Sequence, residues 1–402
     1  MAEKIMSLRQ IADVMGIGEY PQEMEAFYEA LEPGVPAADL ALIRQLQEEY
    51  NLFDVYYDTV VEVATQLNAD PVRSAWVRTA TAFAMAGDDV QARKVPTATS
   101  DGTALMDFLP LYILIPQIPG SVAEYKARGF TDKEMPRIMN NYKAGIRITR
   151  DQTGRPGINQ TYYSWLTLFT KCRLFYADSL QFEIKKLLPD ALWLKNRTTG
   201  QILPLILTGK VHASGIQKLG SKGYEDEDGA FEPVFSEDEE NFYGNPCIDN
   251  VIKSTPQTFP KAQWACIGRP GDSCIGVHIP RGADISVETV KRECAFARTV
   301  AKERYPECSV GLINCASWML DPKLETIMGK ESRLAGFMSC FVKYPGKDPG
   351  TAVFGFVFPK RYESFETLPE NTSLQRKLKQ LYIDGDRIYS YRGVVAIEEE
   401  KL

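Results

Sequence analysis

Two histidines occur in the 402-residue chain, and one of them, His278, stands where its type and spacing could do chemistry. Ile275, Val277 and Ile279 alternate with Cys274, Gly276 and His278, a period of two that puts His278 on the strand face opposite the three apolar side chains. Imidazole changes protonation near neutral pH, so His278 is the first candidate for a general base; a hydrogen-bonded histidine that merely fixes the strand is the alternative. In the next expected strand, Gly311 to Met319, Cys315 and Ser317 share one face and alternate with Asn314, Ala316 and Trp318. If Cys315 and His278 border one cleft, they could serve as nucleophile and base in hydrolysis or ping-pong transfer. Against this, Cys315 lies inside a strand and not on a strained turn or helix start, and an ordinary buried cysteine fits equally. Glu183, in the alternating run Leu180 to Lys185, is a weaker candidate base that also suits a solvated strand face. His212 has no motif around it and receives no role.

The elements that must position these residues can be read along the chain. Pro280 ends the first strand, and Ser286 is a suitable N-cap for a helix with Val287, Val290, Cys294, Ala297 and Ala301 on one face and Lys291, Arg292, Arg298, Lys302 and Glu303 on the other. Asp321, Pro322 and Gly329 bracket a short helix from Lys323 to Met328. Leu334 to Tyr344 and Thr351 to Pro359, joined by a turn-rich segment, predict a β-hairpin. A helix over Ser373 to Ile383, stopped by Gly385, and a strand from Arg387 to Ile397 close the pattern.

The first 150 residues have a different character. Apolar residues recur at helical spacing around Leu40 to Tyr50 and Val60 to Leu67, with Asp39 and Asp58 near the expected helix starts. Asp70 and Pro71 open a helix that Gly87 follows, and Thr131 caps another that Gly145 is expected to stop. Phe108 to Ile118, interrupted by Pro110 and Pro116, reads as a buried helix or packed loop. From 220 to 246 lies an exposed acidic insertion, with nine acidic residues and no basic one between Glu225 and Glu240. A solvated loop is its plain reading and a docking surface for a basic partner the other.

Composition narrows the function classes. With 46 Lys plus Arg against 53 Asp plus Glu, a formal charge of -7 and no basic stripe, nucleic acid is not an expected partner. Eight scattered cysteines without a C-x-x-C pair argue for reduced thiols and against a disulfide framework or structural zinc. No leader-like apolar segment and no run of membrane-spanning length is seen, so a cytoplasmic protein with no membrane partner is expected.

The order strand, helix, strand, short helix and hairpin resembles the second half of the GNAT acyltransferase fold. More closely, the chain resembles bacterial acyltransferase-domain proteins that join a helical N-acyltransferase N-terminal domain to a GNAT-like C-terminal domain. The residues that carry the resemblance are His278, Ile279, Pro280, Arg281 and Gly282 before the long helix, and Ser317, Trp318, Met319, Leu320, Asp321 and Pro322 before the short one. Leu180, Gln181, Phe182 and Glu183 add a weaker match. The implied architecture is an all-helical domain over 1–150 followed by a GNAT-like mixed-sheet domain flanked by helices over 151–402.

The resemblance implies an acyl-CoA-dependent N-acyltransferase, with acyl-CoA, acetyl-CoA included, as substrate, no metal, and a small-molecule or amine acceptor. The acceptor would enter a cleft between the helical domain and the sheet. Gly276, Val277 and Ile279 would present backbone to the pantetheine arm, and Gly276 would suit a splay or bulge; a glycine needed for packing is the alternative. Arg281, Gly282, Ala283 and Ser286 would hold the CoA diphosphate at the helix start. His278 would be the base, with Cys315 and Ser317 facing the thioester and Cys315 the acid for the departing thiolate. The usual Q/R-x-x-G-x-G/A loop is missing, however, and Asp284 adds a negative charge, so Asp284 turns outward or CoA binds differently or not at all. A non-catalytic GNAT-like binding or assembly module is therefore an alternative function, and a Cys/His thioester hydrolase or transferase a second. The sequence leaves acyl chain length, acceptor and oligomeric state open.

Overall fold

The computed structural model describes residues 6–216, 229–347, 352–358 and 362–396. The chain divides into two compact units, Met1–Leu174 and Phe175–Leu402.

The first unit is helical. Its helices are α1 (Leu8–Val14), α2 (Met24–Glu29), α3 (Leu40–Tyr50), α4 (Tyr57–Ala69), α5 (Pro71–Ala86), α6 (Asp89–Ala92), α7 (Ala104–Leu114), α8 (Ile118–Ala127), α9 (Met135–Thr153) and α10 (Gln160–Thr170). Asp39 and Asp70 cap α3 and α5 through side-chain bonds to backbone N–H groups, as expected, and Gly87 follows α5. Asp58 lies in the first turn of α4 and makes no cap.

At the centre of this unit runs α7, with Phe108 to Leu114 all buried and packed on α4, α5 and α10. A 3₁₀ turn, Ile115–Gln117, carries the helical path through Pro116 into α8. The resulting 24-residue run, Ala104–Ala127, is by length and composition able to cross a membrane, which corrects the expectation that no such run exists. Of its most apolar window, 67% is buried inside the fold.

Gly145 does not stop α9, which continues to Gly154 at φ +83°. Gly145 is instead an interior position where a Cβ would stand 3.2 Å from Ile158 Cδ1. Helical structure thus runs beyond residue 150, to Thr170.

The second unit contains two sheets built from β1 (Leu174–Tyr176), β2 (Gln181–Lys186), β3 (Ala191–Asn196), β4 (Ile202–Ile206), β5 (Phe235–Glu237), β6 (Asn241–Ile248), β7 (Val251–Ile252), β8 (Gln257–Pro260), β9 (Trp264–Gly268), β10 (Ser273–His278), β11 (Leu312–Ser317), β12 (Phe341–Pro345) and β13 (Tyr391–Val395). Helices α11 (Val287–Arg304), α12 (Lys323–Met328), α13 (Arg333–Ser339), α14 (Ala352–Phe356) and α15 (Ser373–Ile383) accompany them. One sheet has the order β1-β2-β10-β11-β13-β12; the other has β5-β6-β4-β3-β9, with β7 and β8 also on β6. β10 and β11 run parallel, joined by the crossover helix α11, while β2–β10, β11–β13 and β12–β13 pair antiparallel, so the first sheet is mixed.

Several expected elements change here. Leu334 to Ser339 is helical, with Ser332 capping Ala335 N at 3.1 Å, because its apolar residues Leu334, Ala335, Phe337 and Met338 follow helical spacing. β12 pairs with β13, from Phe341↔Val395 to Pro345↔Tyr391, so the hairpin does not form, and the expected second strand contains α14. The ends of that expected strand, Thr351 and Pro359, fall outside the described residues, as does Ile397 at the end of the last expected strand.

The acidic segment 220–246 is not a plain loop over its described part. Phe235 to Glu237 and Asn241 to Ile248 are paired strands, and Glu237 bonds Lys261 Nζ at 2.8 Å and Arg269 Nη2 at 3.0 Å. Residues 220–228 of that segment are outside the described part.

A core cluster joins the sheets: Cys274, Leu312, Tyr344 and Val394 of the first meet Trp193, Ile206 and Cys247 of the second. On the opposite face of the first sheet, Phe175 stacks on Phe182 and on Tyr305 at the end of α11, which places the helix there.

Candidate functional site

Strand register decides which side chains can meet. β10 pairs with β2 as His278↔Gln181, Gly276↔Glu183 and Cys274↔Lys185, and with β11 as Cys274↔Leu312 and Gly276↔Asn314. One face therefore carries His278, Gly276, Gln181, Glu183, Lys185 and Asn314, and continues across β11 to Ala316. The other, under α11, carries Ile275, Val277, Phe182, Ile184 and, by the pairing Val277↔Cys315, the thiol of Cys315.

His278 Nε2 lies 2.8 Å from Glu183 Oε2, with side-chain exposures of 29% and 7%. Lys185 Nζ stands 3.5 Å from the same oxygen. An ionised Glu183 can only accept this hydrogen bond, and in that state the proton the bond requires is on Nε2 of His278. The two residues read separately as candidate bases are thus one assembly. Glu183 is not on a solvated strand face: β2 is buried on both faces over Gln181 to Ile184.

Gly276 is explained by this assembly. A Cβ there would come within 2.6 Å of Lys185 Cδ and 3.5 Å of Glu183 Oε2. β10 keeps regular register with both neighbours through Gly276 and Val277, so no bulge forms and these two backbones belong to the sheet. Pairing with β11 ends at Val277↔Cys315, while β11 continues through Ala316 and Ser317 paired to β13. Ile279 lies beyond that last pair, and Ala316, the next position of β11 and level with His278 in the register, is exposed.

Cys315 and Ser317 are not brought to His278. Cys315 is 1% exposed on the face under α11, and burial pushes its thiol up to about 12. A neutral, buried thiol on the far face is neither partner to His278 nor ready acid for a thiolate, which removes the Cys/His pair as read from sequence. Ser317 Oγ accepts from Met319 N at 3.1 Å and caps a 3₁₀ turn.

After β10 the chain turns sharply. Ala283 N donates to Pro280 O at 3.1 Å and Gly282 has φ +81°, the arrangement of a type II turn with glycine at its third position. Arg281 is exposed at the tip of this turn. Ser286 Oγ accepts from Thr289 N and caps α11 as expected. Asp284 is exposed, and its carboxylate folds back onto the start of α11. Its Oδ1 accepts from Ser286 N at 3.0 Å, and its Oδ2 accepts from Ser286 Oγ at 3.0 Å and Thr289 Oγ1 at 2.5 Å. The Thr289 hydroxyl first, then the Ser286 N–H and hydroxyl, hold its carboxyl below the ordinary carboxylate range. A carboxylate of the chain itself therefore sits on the end of α11 where an anionic ligand would bind.

Sequence reading missed a second polar group on the His278 face. Asp190, 1% exposed, pairs with Arg392 and accepts from Tyr344 OH at 3.0 Å. Arg392 stands next to Ala316 by register. No local motif announces a partner 202 positions away. Among the described residues, no group of three His, Cys, Asp or Glu could hold a metal ion.

The model of the GNAT-like C-terminal domain matches residues 175–395. The chain belongs to this family. The GNAT-like domain coincides with the second compact unit, which begins at Phe175. Among solved structures, an acyltransferase in complex with decanoyl-CoA is similar at TM-score 0.66 and 15% identity, covering 98% of this chain and 100% of that one. An acyltransferase in complex with decanoyl-CoA and teicoplanin is similar at TM-score 0.65 and 16% identity, covering 97% and 99%. Another, with CoA and 10C-teicoplanin, is similar at TM-score 0.66 and 16% identity over 97% and 99%. The likeness runs through both the helical and the GNAT-like parts, and at these identities it establishes the fold. No curated protein sequence matches the chain.

Proposed function

We propose that this protein is an acyl-CoA-dependent N-acyltransferase whose thioester reacts beside His278, where β10 and β11 stop pairing. The observation that carries the reading is the position of His278. It is the last residue of β10, partly exposed, hydrogen-bonded to Glu183, and on the same face as exposed Ala316 of β11. Family membership supports it, as do similar acyltransferases that hold acyl-CoA.

In this reading the backbone beyond Val277, at Ile279, receives the pantetheine amides. His278 takes a proton from the acceptor amine, whose nitrogen attacks the thioester carbonyl. The C–S bond breaks, an amide forms, and the CoA thiolate takes up the proton that His278 holds. Arg281 supplies a cation for the phosphate end. The acceptor is a small molecule bearing an amine. Residues 1–174 belong to the same enzyme.

Calorimetric titration with CoA, acetyl-CoA and decanoyl-CoA, repeated on Arg281→Glu, tests donor binding; thiol release with a panel of amines tests transfer. Binding and turnover, with His278→Gln lowering kcat by about 10²–10⁴-fold, are expected. If none of the three donors binds, the reading fails. A second reading, a non-catalytic GNAT-like module, draws on the Asp284 carboxylate at the start of α11, and predicts that absence of binding.

A further inference from the structure

Two neighbouring strands bring three side chains into line. β2 supplies Glu183 and Lys185 and β10 supplies His278, all on the sheet face away from α11. Glu183 Oε2 is shared between His278 Nε2 at 2.8 Å and Lys185 Nζ at 3.5 Å. Gly276 lies directly opposite Glu183 in the register, and its missing side chain is the space through which Lys185 passes. A carboxylate exposed by only 7% is costly unless hydrogen-bonded and paired, and this one has a donor on one side and a cation on the other.

We infer that Glu183 is a positioning residue for His278 and that Lys185 holds Glu183 in its ionised form. This rests on the acyl-transfer reading and names what orients the base. Because the carboxylate only accepts, it selects the Nε2–H tautomer and leaves the lone pair on Nδ1. The amine proton moves to Nδ1, the imidazolium stands against the fixed carboxylate, and the same proton passes to the departing CoA thiolate. Glu183 stays ionised throughout and exchanges no proton.

The test is ¹⁵N-edited imidazole NMR on the full chain together with steady-state turnover. With two histidines in the sequence, loss of a signal in His278→Gln assigns the ring. The wild type is expected to be in the Nε2–H form. In Glu183→Gln the carboxamide can donate as well as accept, so a tautomer mixture is expected, with kcat down by at least about 10-fold and by up to about 10⁴-fold, the loss when an amide replaces the carboxylate that orients a catalytic imidazole, and donor KM little changed. Gly276→Ala, which displaces Lys185 without altering Glu183 or His278, should give an intermediate loss, and it serves if Glu183→Gln fails to fold. A wild-type ring in the other tautomer, or one that Glu183→Gln and Gly276→Ala leave unchanged, overturns the inference. A changed tautomer with undiminished turnover overturns the positioning role. If His278→Gln also turns over normally, it is the base assignment itself that fails.

Discussion

The carboxylate of Asp190 and the guanidinium of Arg392 pair inside the second unit although 202 positions separate them. Asp190 closes the turn before β3 and Arg392 stands in β13, so this pair ties the second sheet to the first, with Tyr344 of β12 bonded to the same carboxylate. Arg392→Met should leave a buried, uncompensated charge and lower stability by about 3–5 kcal/mol, measured by urea unfolding. The double variant Asp190→Leu with Arg392→Met should recover a large part of that loss, because it removes both charges.

Asp321 supplies a pH dependence. Burial raises its carboxyl to about 6, against the opposing bonds from Tyr389 N and Lys323 N and the nearby Lys323 charge. The folded state therefore binds this proton more tightly than the unfolded chain does. Stability from this group should fall as pH rises from about 4 to about 6 and stay level above that, a change of about 3 kcal/mol for a two-unit shift. Asp321→Asn should flatten that segment of the stability profile, read by chemical denaturation at successive pH values.

Asp284 makes opposite demands on fold and ligand. Asp284→Ala removes the bonds to Ser286 and Thr289 and should lower the melting temperature. If the CoA diphosphate seeks the start of α11, the same variant should bind CoA more tightly than wild type in calorimetry, since a like charge has gone. Unchanged CoA affinity would place the diphosphate away from this helix end.

Glu293 is buried at 2% exposure on α11 and accepts from Ser179 N at 2.9 Å and Leu180 N at 2.8 Å. It anchors the segment that leads into β2, and so the strand that presents Glu183. Glu293→Ala should cost about 1–3 kcal/mol through the two orphaned N–H groups, and hydrogen exchange should rise first at Ser179 and Leu180.

What the sequence determined by itself was local. Asp39, Asp70, Ser286 and Asp321 announced helix starts because a capping side chain acts within three residues. Period-two alternation placed His278 opposite Ile275 and Val277, and the strand, helix, strand and short-helix order after Asp272, with the runs His278 to Gly282 and Ser317 to Pro322, was enough to recognise the GNAT-like domain although the expected hairpin was not there.

Tertiary structure decided everything that depended on long-range pairing. Leu334 to Ser339 became a helix and β12 found β13, because strand partners are chosen by what each face can bury and not by adjacency. Cys315 and His278 came to lie on opposite faces, which parity along each strand cannot tell until the register between strands is known. Glu183 and His278 met across 95 positions for the same reason: a 2.8 Å contact needs two strands in one particular register, and only the folded sheet supplies it.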